Sequence, residues 1–414
     1  MTEVAAAVLT PARAPARLAA GWPARASVAR TAGPALLVAA GYVDPGNWGT
    51  DVAAGAQFGY RLVWVLAAAT AAALFLQHLS ARLGFASGHD LASLLRGRLP
   101  RPVRRLVFPP LLGALAVTEV VEVLGVVIGV RMLTGLPLAG SVALAAAMVL
   151  AVLVAPAGTG RRAVYACLAL VGTVYLTVLA RHGLGATTAG LRPGPLPPGG
   201  LPVAVGLVGA VVMPHNVLLH SALARDLRRG GMDRDQLARL QRGSLISTAG
   251  ALAVALAVNC AIMSVAAGSA AGPAGGLATA LHSAGPTFGA ATSALFAVTL
   301  IAAGLASAVT GGMVGADVIR RLLPALPGSD TSRRICCLVP AVAVAASGLP
   351  EVAVLVWSQV VLTIALPLVL VPLVWFTGRR DLMGDQAPGR PVRAAAAALT
   401  GLLIAAGAAS LVSS

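Results

Sequence analysis

The sequence predicts an all-α polytopic membrane protein containing an inverted internal repeat. Three observations carry that prediction. The 414 residues are 58% hydrophobic and only 11% charged, with a mean hydropathy of +0.87, more apolar than a soluble core requires. Apolar runs of about 20 residues, enough to cross ~30 Å of hydrocarbon as a helix, recur along the chain. The first and sixth runs are each interrupted by an x-Pro-x-Asn sequence, Asp44-Pro45-Gly46-Asn47 and Met213-Pro214-His215-Asn216.

In order, the first five spans fall at roughly 34–57, 62–84, 106–130, 138–156 and 164–181. The first holds one break, and the third holds two buried acids, Glu119 and Glu122. Six more follow at roughly 203–224, 245–267, 289–318, 335–349, 353–377 and 393–412, making eleven. The sixth holds the second break, and the ninth is the shortest. No polar segment is long enough to bury its own core, so residues 33–414 form one membrane domain. Its first repeat covers about 34–181, its second about 203–377, and the eleventh helix about 393–412. Residues 1–32, dense in Arg and Pro, read as a disordered cytoplasmic tail; a transit peptide is the rival reading. The stretch 225–242 reads as a basic, helix-like connector.

The formal charge of +16 has a topological explanation. All thirty basic residues are Arg, and all but Arg61, Arg131, Arg181 and Arg192 fall in loops on one side when the N-terminus is inside. This is the positive-inside asymmetry, which places the N-terminus in the cytoplasm and the C-terminus outside. It argues against nucleic acid as a partner, and no obligatory protein partner is evident. Short loops and the absence of any Asn-x-Ser/Thr triplet suit a bacterial plasma membrane, with a eukaryotic organelle as the other reading. Cys167, Cys260, Cys336 and Cys337 show no ligand spacing and read as inert filler.

The breaks carry chemistry. Proline lacks an N–H and clashes with the carbonyl four residues back, and it disfavours helical geometry at the preceding residue. Pro45 therefore frees the carbonyl of Gly41, and Pro214 frees that of Ala210. Each bare carbonyl stands beside a side-chain donor, Asp44 or Met213. Carbonyl, carboxylate, amide and thioether together describe a cation site. The breaks lie five helices apart, and an odd repeat length inverts the halves, the signature of a secondary transporter with a midmembrane site. The first half-helices then meet by their partly negative C-terminal ends, which favour a cation.

The runs Gly41-Tyr42-Val43-Asp44-Pro45-Gly46-Asn47-Trp48 and Ala54-Gly55-Ala56-Gln57-Phe58-Gly59-Tyr60, and later Met213-Pro214-His215-Asn216 with Leu219-His220-Ser221, closely resemble the Nramp family of divalent metal transporters. Ser80-Ala81-Arg82-Leu83-Gly84, Thr310-Gly311 and Ser358-Gln359-Val360-Val361-Leu362-Thr363 are similar too, so the resemblance covers the chain from about residue 33. It implies a LeuT-like fold of two inverted five-helix units plus an eleventh helix, importing Mn²⁺ or Fe²⁺ as substrate with protons as coupling ion and no resident cofactor. By position it makes Asp44, Asn47 and Met213 side-chain metal ligands. It adds carbonyls from Ala210 and, in some states, Gly41, and brings Gln359 to the metal on occlusion. Asn47 has a second reading as the cap of the outer half-helix, and Met213 in isolation would read as packing.

The thioether bears on selectivity, because soft sulfur suits Mn²⁺ or Fe²⁺ but adds little for Mg²⁺ or Ca²⁺. Glu119 and Glu122, three apart, share a helix face, and two adjacent carboxylates in a low dielectric leave one protonated. They match the family's acidic pair on the proton exit route, where Asp is usual at position 119. His215, one residue past Pro214 and with a reference pKa of about 6.5, faces the break and can link Asp44 to proton movement. His220 reads as structural. Asp51 reads either as lining an outer vestibule or as an interfacial cap. Asn259 fits the family pattern. Leu305 and Ala365 stand where the family usually carries Gln. Rival readings are a LeuT-like amino-acid symporter, a membrane metalloenzyme and an ion channel; no His-Glu-x-x-His string or other recognisable catalytic set occurs.

Overall fold

The computed structural model describes residues 24–182, 185–228, 232–268, 292–322 and 328–413. Helix α1 (Ala24–Ala40) runs through a 3-10 turn (Gly41–Val43) into α2 (Pro45–Phe58). Next come α3 (Val63–Ser87), the short α4 (Leu91–Arg98), α5 (Arg101–Thr134), α6 (Leu138–Val154), α7 (Ala157–His182) and α8 (Gly185–Ala189). The second broken helix is α9 (Leu201–Val211) and α10 (Pro214–Leu227), followed by α11 (Arg234–Ala267), α12 (Thr292–Leu322) and α13 (Asp330–Ala346). The chain closes with α14 (Glu351–Ala365), α15 (Pro367–Thr377), α16 (Arg380–Met383) and α17 (Arg390–Ser413). The described residues contain no strand.

Eight of these helical stretches are long and apolar enough to cross a membrane, the α9–α10 and α14–α15 pairs each counting as one. The protein is therefore a multi-pass membrane protein. The first broken helix, α6 and α13 occupy the remaining expected spans. Residues 1–23 of the expected tail lie outside the described residues, and α1 already begins at Ala24.

The boundaries differ from expectation where local chemistry starts a helix early. Asp233 and Gln236 form a reciprocal capping box, so α11 begins at Arg234 and the basic connector becomes the ends of α10 and α11. Asp90 caps the unforeseen α4 by accepting from the Ser93 N–H at 2.9 Å. The tenth span is divided at Leu366, because Pro367 cannot donate back into the preceding turn.

Lipid offers no hydrophobic drive between helices, so close approach rests on small residues. A Cβ on Gly55 would sit 2.3 Å from the Met263 carbonyl, which sets α2 directly on α11. One on Gly84 would sit 2.3 Å from the Ser221 carbonyl, setting α3 on α10. These crossings draw the two breaks into the buried middle of the bundle.

Candidate functional site

Both breaks adopt the geometry proline imposes. Asp44 (φ −73°, ψ 164°) and Met213 (φ −85°, ψ 134°) are extended, the geometry that a following proline favours. Pro45 and Pro214 open the following half-helices, where a missing N–H is tolerated.

Asp44 is fully buried and caps α2, its Oδ1 accepting from the Asn47 N–H at 2.8 Å. The cap of the second half-helix is thus Asp44, and the alternative role for Asn47 falls away. The Asn47 side chain instead turns back to the break, its Nδ2 donating to the Gly41 carbonyl at 3.5 Å. The neighbouring Tyr42 carbonyl accepts from Asn259 Nδ2 at 3.2 Å, so α11 holds the turn open.

Asn216 joins the two breaks. Its Nδ2 lies 3.9 Å from the Met213 sulfur, and its side chain fills the space beside Gly41, where a Cβ would come within 2.5 Å of it. Met213 and Ala210 are buried on the α9–α10 side of this junction. From α14, the buried Gln359 rests its Nε2 against Gly46. Thr363, one turn on, donates to the Val205 carbonyl at 3.0 Å and locks α14 to α9. The structure therefore brings Asp44, Asn47, Met213, Gly41 and Gln359 to one junction, with Ala210 one turn before Pro214.

The unmet oxygens of this junction fit a cation. Asp44 Oδ2, Asn47 Oδ1, Asn216 Oδ1 and Gln359 Oε1 are buried without a hydrogen-bond partner among the described residues. Buried acceptors are ordinarily paired, and four within one break region, beside a thioether, form a mixed oxygen and sulfur donor set. Among the described residues no group of three or more His, Cys, Asp or Glu could hold a metal; the set here joins the one Asp44 carboxylate to amides, carbonyls and sulfur.

His215, second in α10, is buried with neither ring nitrogen paired among the described residues. His220, by contrast, is spanned: one nitrogen meets Gln77 Oε1 at 2.9 Å and the other Ser244 Oγ at 3.2 Å. Gln77 in turn donates to the Tyr42 hydroxyl at 2.8 Å. A buried polar chain thus runs from the first break through α3 and α10 to α11. Sequence reading missed Gln77 and placed Asn216 in the second break without giving it a role of its own; for Gln77, a lone Gln in an Ala- and Leu-rich span was the available signal, since buried amides are costly without partners.

Glu119 and Glu122 are buried together on α5 facing Gly311 of α12, where a Cβ would lie 3.2 Å and 2.7 Å from their respective Oε1 atoms. Ser307 donates to Glu122 at 2.7 Å. Gly125, on the same helix, lies flat against Pro45 and connects this acidic face with the first break. Asp51 is buried within α2 with both oxygens unpaired among the described residues, so it caps no helix, and in this arrangement it does not line an open vestibule.

The sequence profile described as "Natural resistance-associated macrophage protein-like", Nramp, matches residues 35–413. The "Divalent metal cation transporter MntH" of Deinococcus radiodurans is 36% identical over 359 residues, covering 85% of this chain and 82% of that relative. The crystal structure of the Eremococcus coleocola manganese transporter, in complex with an aromatic bis-isothiourea substituted compound, superposes with a TM-score of 0.81 at 26% identity, covering 95% of this chain and 88% of that one. At the level of fold alone, MhsT in complex with L-phenylalanine matches with a TM-score of 0.63 at 16% identity, covering 92% of this chain and 98% of that one. The chain belongs to the Nramp family and has its LeuT-like fold.

Proposed function

We propose that this protein imports a divalent transition metal, Mn²⁺ and/or Fe²⁺, by symport with protons, alternating access around its two broken helices. The junction of Asp44, Asn47 and Met213, with its unmet buried oxygens, carries the reading. The printed names of the relatives, a divalent metal cation transporter and a manganese transporter, support it.

Metal enters from outside and exchanges most of its water for Asp44, Asn47, Met213 and the carbonyls of Ala210 and Gly41. Gln359 closes on the site from α14. The half-helices then rock to open inward. A proton held at Asp44 leaves through His215 and the Glu119–Glu122 face. The interior-negative potential assists, since one charge moved through 100 mV is worth about 2.3 kcal/mol. The protein sits in the plasma membrane with its N-terminus cytoplasmic, the orientation that the arginine distribution favours.

The second reading, an amino-acid symporter of the same fold, has the fold likeness to MhsT in its favour. A substrate carboxylate would want a half-helix N-terminus and no thioether, whereas here Met213 and the unmet oxygens stand at the break.

The deciding experiment is Mn²⁺ uptake into proteoliposomes under an inward proton gradient with excess Mg²⁺. Saturable wild-type uptake, made Mg²⁺-sensitive by Met213→Ala and abolished by Asp44→Asn, supports the reading. No wild-type uptake, or uptake indifferent to Asp44, overturns it and brings organic substrates forward. Flux without proton dependence and far above transporter turnover would indicate a channel.

A further inference from the structure

Asp51 has no part in the metal site or in the Glu119–Glu122 face. It lies on α2 seven residues beyond Asp44, about 10 Å further along at 1.5 Å per residue. It is 1% exposed, and neither oxygen has a hydrogen-bond partner among the described residues, Asn47 and Asp44 included.

Packing fixes what surrounds it. Gly55, one turn on, is pressed against Met263 of α11, which sets Cys260, one turn before Met263, beside the turn that carries Asp51. Trp48, one turn earlier, meets the Tyr175 ring of α7 edge-on at 5.0 Å, and Tyr175 stacks on Phe296 of α12 at 5.4 Å. These contacts make Tyr175 and Cys260 the titratable groups that α7 and α11 bring to this part of α2. From α9 and α14, Gly206 packs on Thr50 and Leu355 on Gly49. Among the described residues, the titratable groups brought to this part of α2 are therefore Asp44, Tyr175 and Cys260, and none of them is a cation.

An ionised carboxylate enclosed there would have no hydrogen-bonded donor and no countercharge among the described residues, the costliest state for a side chain in the membrane interior. The same carboxyl in water ionises near pH ~3.9. Enclosure and protonation are thus linked.

We propose that Asp51 is a second proton-binding site of the transport cycle, taking one proton from water on the outer side as α2 closes against α7 and α11. One O–H bond forms at a carboxylate oxygen at the expense of one hydronium. The proton returns to the same water when that side reopens, so it conditions closure on external acidity without entering the net exchange. Only the transport arm of the test rests on the proposed symport.

Two measurements test this. In infrared spectra of purified protein at neutral pH, Asp51→Asn should remove one protonated-carboxylic-acid carbonyl band present in wild type; an unchanged acid region overturns the proposal. In proteoliposomes, the ratio of Mn²⁺ uptake at about pH 5.5 to that at about pH 7.5 outside, a window where a solvated carboxyl is ionised, should fall at least about twofold in Asp51→Asn. Asp51→Glu, which keeps a titratable group, should restore it. A wild-type ratio in Asp51→Asn overturns the proposal alone. If wild type moves no Mn²⁺ at either pH, the symport reading fails, and the infrared arm still decides Asp51. A monodisperse gel-filtration profile for both variants separates a lost band from misfolding.

Discussion

The side-chain amide of Gln359 is seated on the backbone of Gly46, so closely that a Cβ there would come within 1.9 Å of its Nε2 and 2.8 Å of the Val121 side chain. Gly46 follows Pro45 in the first turn of α2, and Gln359 can reach the first break only because residue 46 has no side chain. Gly46→Ala should push Gln359 off the break. Overpacking a buried contact costs about 1–3 kcal/mol. If that cost falls on the occluded state, Mn²⁺ affinity by calorimetry should drop on the order of tenfold. Gln359→Ala added to Gly46→Ala should recover stability but not occlusion. Wild-type affinity in Gly46→Ala would sink the proposed role of Gln359.

Asp44 serves the fold and the site with different oxygens. Oδ1 caps α2 through the Asn47 N–H at 2.8 Å, and Oδ2 is unmet among the described residues. Asn caps as well as Asp, whereas Ala forfeits about 1 kcal/mol. Asp44→Asn should therefore leave thermal stability nearly unchanged while abolishing Mn²⁺ binding, and Asp44→Ala should lose both. Equal destabilisation by the two variants would mean that the charge, and not the cap, holds the break.

Much of this site was legible because proline acts locally. Pro45 and Pro214 dictate the extended geometry of Asp44 and Met213 without reference to any neighbour. The same rule could have divided the tenth span at Pro367. It fails, however, at Pro34, Pro109, Pro110, Pro340 and Pro372, which lie inside continuous helices, so proline alone does not locate a break. What stayed illegible depends on contacts far apart in sequence: Asn216 against Gly41, Gln77 between Tyr42 and His220, and Ser307 on Glu122. The burial of Asp51 was hidden for the same reason, because helix periodicity says which face a residue shares but not what covers it.

The Tyr42–Gln77–His220–Ser244 chain ties the first break to α3, α10 and α11. Gln77→Leu would leave the Tyr42 hydroxyl and one His220 nitrogen buried without partners, each worth about 1–3 kcal/mol. Thermal unfolding in detergent should shift down accordingly. Gln77→Glu, which still offers an acceptor to His220, should shift it less. Gln77→Leu with wild-type stability would show that neither group needs the amide.

Asp90 is 1% exposed, yet three elements meet on it. Its Oδ1 accepts the Ser93 N–H and caps α4. Its Oδ2 pairs with Arg225 from α10 and, at 3.1 Å, with Arg321 from α12. Arg321 continues to Asp317 at 2.7 Å, and the adjacent Leu91 N–H donates to Ser221 of α10 at 3.0 Å. One carboxylate thus holds the ends of α10 and α12 together, at the end of α10 away from the break. Removing one partner of a buried pair costs about 3–5 kcal/mol because the remaining charge is stranded; with both guanidiniums 20% exposed, the lower end applies. Asp90→Asn keeps the cap and deletes only the charge, so its loss of stability isolates the ionic contacts. A double-mutant cycle of Asp90→Asn with Arg225→Gln should give a coupling of about 1 kcal/mol or more, since groups in one network are non-additive. Additive losses would mean that α10 is held by the Leu91–Ser221 hydrogen bond and close helix packing, and that opening of this end of the bundle does not have to break the Asp90 pairs.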